Sequence, residues 1–227
     1  MIPDYSVVLL GAGGVGKTSM ISQFISGVFP VDYDPTIEDC YRHVVQLGDG
    51  FFHTVKILDT AGSHQFPAMR ELCIRTGQAF ILVFAINNEA SFDEALKLGE
   101  LIIKFKGRDS VPLVLVGNKT DLNCYRQVDF DKASQMASER LNCVYMESCA
   151  MYNINIQSLF LELLTEALHI EVKSDICKKS SSWKSRSGSV KCSYSLSNIK
   201  RQHSSDNRRL SDTNIYNNSA TAKCVIL

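Results

Sequence analysis

Long apolar runs are missing from this chain: none approaches the roughly 20 residues that a membrane-spanning helix needs. A secretory leader is not expected either, since Met1-Ile-Pro-Asp-Tyr5 leads directly into a strand-like run. No internal repeat is present. The 8 cysteines are scattered without repeated metal-ligand spacing, which argues against a zinc module. With no leader, the chain is expected in the cytosol. Cys40, Cys73, Cys124, Cys143 and Cys149 are then expected as reduced thiols. Net charge is absent too, because 24 Lys/Arg balance 24 Asp/Glu. The balance hides an asymmetry: residues 1–171 hold 13 basic against 21 acidic side chains, and residues 172–227 hold 11 against 3. The first stretch reads as an acidic globular domain and the second as a basic tail. After about Lys173 the composition shifts to Ser, Lys, Arg and Asn. So few apolar groups cannot offset the entropy of ordering, and the tail is predicted to be disordered.

What is present alternates. Strand signals fall at Ser6–Leu10, Tyr41–Leu47, Phe51–Leu58, Ala79–Ala85, Leu113–Val116 and Val144–Glu147. Helical signals fall at Lys17–Ser26, Phe66–Arg75, Ser91–Phe105, Asp131–Leu141 and Ile154–Ile170. Gly48-Asp-Gly50 reads as a hairpin turn between the second and third strands. Ser91 shows capping-box spacing to Glu94, and Asp129 and Asp131 precede the fourth helix. The pattern predicts an α/β fold, a mostly parallel six-stranded sheet with helices on both faces. Its ligand site is then expected at the carboxyl ends of the strands.

Gly11-Ala12-Gly13-Gly14-Val15-Gly16-Lys17-Thr18 matches the phosphate-binding loop pattern, with an apolar strand before it and a helix after it. Glycines let successive N–H groups turn toward a phosphate, and the helix N-terminus adds a field favourable to an anion. Lys17 supplies positive charge, the Thr18 hydroxyl suits Mg²⁺, and Ser19 follows in the first helical turn. Asp59-Thr60-Ala61-Gly62 ends the third strand. There a carboxylate can reach Mg²⁺ through water, and the Gly62 N–H can bond a terminal phosphate. Asn118-Lys119-Thr120-Asp121, with Leu122 after it, follows the fifth strand. The Asp121 carboxylate can accept from guanine N1–H and the 2-amino group, a donor pair that adenine lacks. Asn118 is expected to brace the loops, and the Lys119 stem to lie along the base.

The order of these motifs resembles that of the Ras superfamily of small GTPases, over nearly all of Asp4–Ile170. Phe29-Pro-Val-Asp-Tyr33-Asp34-Pro35-Thr36-Ile37-Glu38-Asp39-Cys40-Tyr41 resembles the effector loop of the Ras branch, including Rap. The run from Asp59 to Met69 is similar to the Di-Ras group. The resemblance implies a P-loop NTPase G domain with GTP or GDP and Mg²⁺ as ligands. It implies that Phe29 stacks near the guanine and Tyr33 closes over the phosphates. Thr36 would ligate Mg²⁺ and bond the γ-phosphate, so that Thr36 and Gly62 hold the switch loops. Partners implied are an effector, a nucleotide exchange factor and a GTPase-activating protein; a monomer is expected.

Two positions depart from the family pattern. Ser63 stands where a glutamine usually orients the attacking water, and its side chain is too short for that reach. Cys149-Ala150-Met151 stands where Ser-Ala-Lys is usual. Ala150 keeps the backbone N–H for the guanine oxygen, Cys149 is a weaker hydrogen-bonding group than serine, and Met151 offers an apolar cover. Lys17, Thr36, Gly62 and Ser63 are therefore the candidate catalytic positions, with slow hydrolysis expected. A docking protein with negligible hydrolysis is the alternative.

The chain ends Cys224-Val-Ile-Leu227, a prenylation box whose final Leu favours geranylgeranyl. One lipid gives modest affinity, and the dispersed basic tail, with Lys178, Lys179, Lys184, Arg186, Lys191, Lys200, Arg201, Arg208 and Arg209, would add attraction to an anionic leaflet. The expected place is the cytoplasmic face of the plasma membrane or an endomembrane. Nucleic-acid binding is not expected, as no aromatic platform accompanies the charge.

Overall fold

The computed structural model describes residues 4–30, 36, 38–47, 50–60, 62, 67–107 and 111–184, with side chains for all of these except 4, 38, 67 and 171–184. The chain divides into two compact units, residues 1–181 and 182–227, and the account below concerns the first.

Among the described residues, six strands form one sheet: β1 Asp4–Leu10, β2 Glu38–Gln46, β3 Phe52–Thr60, β4 Ala79–Ala85, β5 Leu113–Asn118 and β6 Val144–Glu147. Their order is β2-β3-β1-β4-β5-β6. β2 and β3 pair antiparallel, and every other pairing is parallel. Among the described residues, five α-helices accompany them: α1 Lys17–Ser26, α2 Pro67–Thr76, α3 Glu89–Lys106, α4 Phe130–Met136 and α5 Ile156–Lys184. Among the described residues, no helix is long and apolar enough to cross a membrane.

Strand alternation sends successive side chains to opposite faces and builds two cores. Val7, Leu9, Ile81 and Val83 face one layer with Met20, Ile21 and Phe24 of α1 and Leu159, Phe160 and Leu163 of α5. Val8, Leu10, Phe80, Leu82 and Phe84 face the other with Ile74 of α2, Phe92, Leu96 and Ile102 of α3, and Ala133 of α4. β4 is buried at all seven positions, as a central strand covered on both faces must be. The parallel strands β1, β3, β4, β5 and β6 all end at one edge of the sheet. Their following loops therefore share that edge.

Several element ends differ from the sequence reading. Asn88, not Ser91, caps α3: its side chain accepts from Ser91 N–H at 3.1 Å. Ser91 is instead buried in the first turn, where its Oγ donates to Asn88 C=O at 2.6 Å and accepts from Ala85 N–H at 3.1 Å. Asparagine is as good a cap as serine, and the earlier start frees Ser91 to satisfy the end of β4. α4 begins at Phe130 after Asp129, and the chain widens into a π turn over Ala137–Leu141 before Asn142 ends it at φ 52°. α5 begins two residues later than expected, because Ile154 is engaged in a bridge with Cys149 and Asn155 is left-handed at φ 60°.

The same helix runs on to Lys184. Residues 174–184 of the stretch read as a tail from about Lys173 thus lie within this helix. Each added residue on a helix already nucleated by packing costs little, so a polar stretch can extend it. Residues 185–227, with Arg186, Lys191, Lys200, Arg201, Arg208, Arg209 and Cys224, lie outside the described residues. Leu47 and Gly50 close the β2–β3 connection by a Gly50 N–H to Leu47 C=O bond of 3.0 Å, with Gly50 at φ 79°.

Among the described residues, the closest aromatic pair joins α1 to α5, with the Phe24 and Phe160 rings stacked at 3.9 Å and 14°. Both rings are buried, so removing one leaves a cavity. Phe160→Ala is expected to lower the unfolding free energy by about 3–5 kcal/mol. Urea denaturation of the purified chain measures this, and a loss under about 1 kcal/mol would contradict the packing role.

Candidate functional site

The Gly11–Thr18 loop leaves β1 and enters α1 at the shared edge. Gly16 caps α1 at φ 99°, and a Cβ there would lie 2.4 Å from Asn118 Nδ2, so only glycine fits. Gly13 and Gly14 are exposed, Ala12 and Ser19 half-buried, and Gly11 and Val15 buried. Lys17 is also buried, and its ammonium donates back to Gly11 C=O at 2.9 Å and Ala12 C=O at 2.8 Å. Burial pulls its pKa down to about 8, against the attraction of Asp59 and Glu94.

Thr18 is the meeting point of three segments distant in sequence. Its Oγ1 donates to Asp59 Oδ2 at 2.5 Å and lies 2.9 Å from Thr36 Oγ1. Asp59 is fully buried, and its Oδ1 has no hydrogen-bond partner in the structure. Burial raises the Asp59 pKa, while the Thr18 bond and the Lys17 charge oppose that rise. Among the described residues no cluster of three His, Cys, Asp or Glu gathers to hold a metal. One carboxylate with an unpartnered oxygen and two hydroxyls form instead a hard oxygen set, which fits Mg²⁺ when phosphate oxygens and water supply the remaining ligands. Beside it, the neighbouring Thr60 hydroxyl donates to Leu9 C=O at 2.7 Å and fixes the end of β3 on β1. Gly62 sits against the loop so closely that a Cβ would stand 2.3 Å from Gly13 Cα.

The second half of the site is built on Asn118, which ends β5 and is buried. Nδ2 donates to Val15 C=O at 2.8 Å. Oδ1 accepts from Ala150 N–H at 3.1 Å and Ser148 Oγ–H at 3.2 Å. Lys119, left-handed at φ 68°, crosses to Gly14 C=O at 2.6 Å. Asp121 and Leu122 stand on a 3₁₀ turn, Thr120–Tyr125, with Asp121 exposed and Leu122 half-exposed. The Cys149 thiol donates to Asp121 Oδ1 at 3.0 Å. Met151 is exposed on the turn after it.

Chemically, the arrangement offers opposite demands side by side. A buried ammonium and a helix N-terminus want an anion, and a buried carboxylate wants a cation. An exposed carboxylate on the adjoining loop offers two acceptors to a donor pair.

The structure thus brings together the loop residues 11–19, Thr36, Asp59, Gly62, Asn118, Lys119, Asp121, Cys149 and Ala150. Phe29 lies half-buried against the α1–α5 core. Asp39 and Cys40 are exposed on edge strand β2, and Tyr41 is half-buried there. Tyr33, Asp34, Pro35, Ile37 and Ser63 lie outside the described residues, as does the Glu38 side chain. The sequence reading missed Ser148 and the Arg126–Glu147 pair. Arg126 is bidentate to Glu147 at 2.6 and 3.0 Å and ties the 3₁₀ turn to β6 just before Ser148. The adjacency of Ser148 to Cys149-Ala150 was the available signal; the Arg–Glu pair had none.

Comparison with known proteins gives concordant results. The Ras family model matches residues 6–169. The chain is 44% identical over 189 residues to the GTP-binding protein Di-Ras1 of Mus musculus, an alignment covering 83% of this chain and 94% of that one. Di-Ras1 of Homo sapiens shows the same 44% identity and the same coverage of 83% and 94%.

The site also predicts how its cysteines react. Cys149 is buried with its pKa raised by burial and the Asp121 bond, and burial pushes the Cys143 thiol up to about 12. At pH 8 such a thiol is ionised to about one part in ten thousand. Alkylation of the folded protein at pH 8 is expected at exposed Cys40 and Cys124, and not at Cys73, Cys143 or Cys149. Peptide mapping after a short iodoacetamide pulse checks this, and early labelling of Cys143 would overturn it.

Proposed function

The chain belongs to the Ras family, and on that premise we propose that it is a GTP/GDP switch that selects guanine through Asp121, hydrolyses GTP slowly and is held on a membrane. The observation that carries the reading is the convergence of Asp59 and Thr36 on the Thr18 hydroxyl, at 2.5 and 2.9 Å, beside the glycine loop.

Lys17 and the loop N–H groups bind the phosphates. Lys17 exchanges its bonds to Gly11 and Ala12 for phosphate oxygens, and the anion keeps it protonated. The Thr18 and Thr36 hydroxyls would hold Mg²⁺, with Asp59 reaching it through water; the ion supplies charge neutralisation at the phosphates. Thr36 and Gly62 donate backbone N–H to the terminal phosphate. Loss of that phosphate releases both segments, and the Tyr33–Tyr41 segment changes its fit to an effector. Asn118 holds the two halves of the pocket in register, the Lys119 stem lies along the base, and Ala150 N–H, which donates to Asn118 Oδ1 at 3.1 Å, would share that bond with the guanine oxygen. The Cys224 prenyl group and basic tail would anchor the protein at an anionic cytoplasmic face. An exchange factor and an activating protein would regulate a monomer.

Ser63 favours a second reading, a docking protein that scarcely hydrolyses. A serine cannot span the distance at which a glutamine orients water, so single turnover is expected at about 10⁻⁴ s⁻¹ or slower. Ser63→Gln should raise that rate. A fast wild-type rate that is indifferent to the substitution would refute the role given to Ser63, and a rate indistinguishable from zero even with Gln would favour the docking reading.

Base choice is tested by competition. The wild type should retain GTP against excess ATP, and Asp121→Asn should shift preference toward xanthosine triphosphate, whose N1 and C2 pattern suits an amide. Equal binding of ATP and GTP by the wild type would sink the guanine reading.

Membrane attachment is tested by fractionation of cells. Cys224→Ser should move the protein wholly to the soluble fraction, while neutralising the tail's basic residues should weaken or redistribute membrane binding. Membrane retention of Cys224→Ser would assign the anchor elsewhere.

A further inference from the structure

The edge of the sheet opposite the glycine loop carries an exposed aromatic tip. β3 begins at that edge, and the β2–β3 connection delivers Phe51 and Phe52 to it. They are 70% and 59% exposed. The Leu47 N–H to Phe51 C=O bond of 3.3 Å carries the ladder on to Phe51, so the two adjacent rings leave the hairpin on opposite faces. Val44, 57% exposed and diagonal to Phe52 across the strands, extends the apolar patch. One exposed phenylalanine is ordinary, but two in succession beside a turn, with a valine behind them, form a patch that the core does not use.

Cations stand behind the tip. Arg42 lies directly opposite Lys56, and both are exposed. Like charges paired across strands repel, and an anionic surface removes that cost. Lys56 is roughly 13 Å along the strand from Phe52. Apolar groups that enter a bilayer boundary sit about 5–10 Å deep, which leaves both cations at headgroup level. The rest of this edge is basic as well. α2 leads into β4 and α3 into β5, so both helix ends lie where the parallel strands begin. There Lys106 donates to Arg75 C=O at 2.6 Å, the Arg75 guanidinium lies 4.8 Å from the Phe105 ring centroid, and Lys104 is exposed. Against these stand Asp4 at the start of β1, Asp49 in the connecting sequence, and Glu71, which is bridged to Arg75 at 2.7 Å. α5 starts beside the 149–154 loop and packs along the sheet, with Leu163, Leu164 and Ala167 in the core layer of Val45 and Leu47. The residues that continue to Cys224 are therefore joined to the domain at this same edge.

We propose that the β2–β3 tip is a second membrane contact. Phe51 and Phe52 enter the boundary of an anionic leaflet, Arg42 and Lys56 face its headgroups, and the glycine-loop site points away from the bilayer. This rests on the prenyl anchor proposed at Cys224. One lipid chain binds a membrane reversibly, and a second weak contact both strengthens that binding and fixes the orientation of the domain.

The test uses the full chain, prenylated in a eukaryotic host and loaded with GDP, and vesicles of phosphatidylcholine with or without phosphatidylserine. Thermal melts first establish that each variant folds. Phe51→Ser/Phe52→Ser should lower binding to phosphatidylserine vesicles by about tenfold. Arg42→Gln/Lys56→Gln should lower it by about threefold, with no loss on phosphatidylcholine alone. Depth is read from Phe52→Trp in a Trp183→Phe background, which removes the 1 native tryptophan. Its emission should shift to the blue on vesicles and be quenched by brominated lipid. Unchanged binding of the double serine variant, or emission that is unmoved and unquenched at saturating lipid, would overturn the proposal. Vesicle binding that ignores the tip, together with loss of the same variant from cell membranes, would assign the rings to a protein partner and overturn it too. Absence of a prenyl group on Cys224 by mass spectrometry would defeat the anchor, and quenching at saturating lipid would still decide the tip, so the two failures are separate.

Discussion

Three loops that are far apart in sequence meet on the Asn118 carboxamide. Its donor end holds Val15 C=O and its acceptor end holds Ala150 N–H and the Ser148 hydroxyl. The group is buried, so each of these bonds forms in a low-dielectric interior, where an unmade one costs about 1–3 kcal/mol. The phosphate loop and the Ser148–Ala150 loop are therefore not independent surfaces that happen to adjoin. Moving either one breaks a bond that water cannot replace. Gly16 belongs to the same constraint, since any side chain there would collide with the amide nitrogen.

Around that joint the charges are arranged so that neither sign is content. Lys17 is drawn toward its neutral form by burial, and Asp59 toward its own. Each moderates the other through its charge, and Thr18, which bonds Asp59, is a hydroxyl that can only soften the field. A ligand carrying both signs, a polyanion with its counter-cation, meets both demands at once. This makes simple anions or cations alone poor substitutes, because each would relieve one side chain and burden the other.

Much of this was legible because chemistry restricts residue type. A loop that wraps a phosphate needs glycines and one cation, and a hydroxyl must follow, so Gly11–Thr18 announced itself. The two-sided sheet was legible from β4, apolar at every position. Helix ends were harder. Asn88 and Ser91 both have cap chemistry, and only the unmet N–H of Ala85 decides between them. The reach of α5 to Lys184 was not legible, since the sequence beyond Lys173 has no apolar face and extends only because the helix is already formed. That Asn118 braces the loops was read from its motif, though its partner Val15 was not, and the Thr60–Leu9 link spans a long stretch of chain of which local pattern carries no trace.

The contact between Gly62 and Gly13 is asymmetric. A methyl at Gly13 would lie 3.6 Å from Gly62 C=O, an ordinary separation, whereas one at Gly62 would strike the Gly13 backbone at 2.3 Å. In evolutionary terms the two glycines are under unequal steric constraint. As far as this contact goes, position 13 is free to sample alanine, and position 62 is not unless the phosphate loop itself is redrawn. A lineage altering this region would have to change the loop first and the strand end second, so the order of substitutions is written into the direction of one Cα–Cβ vector.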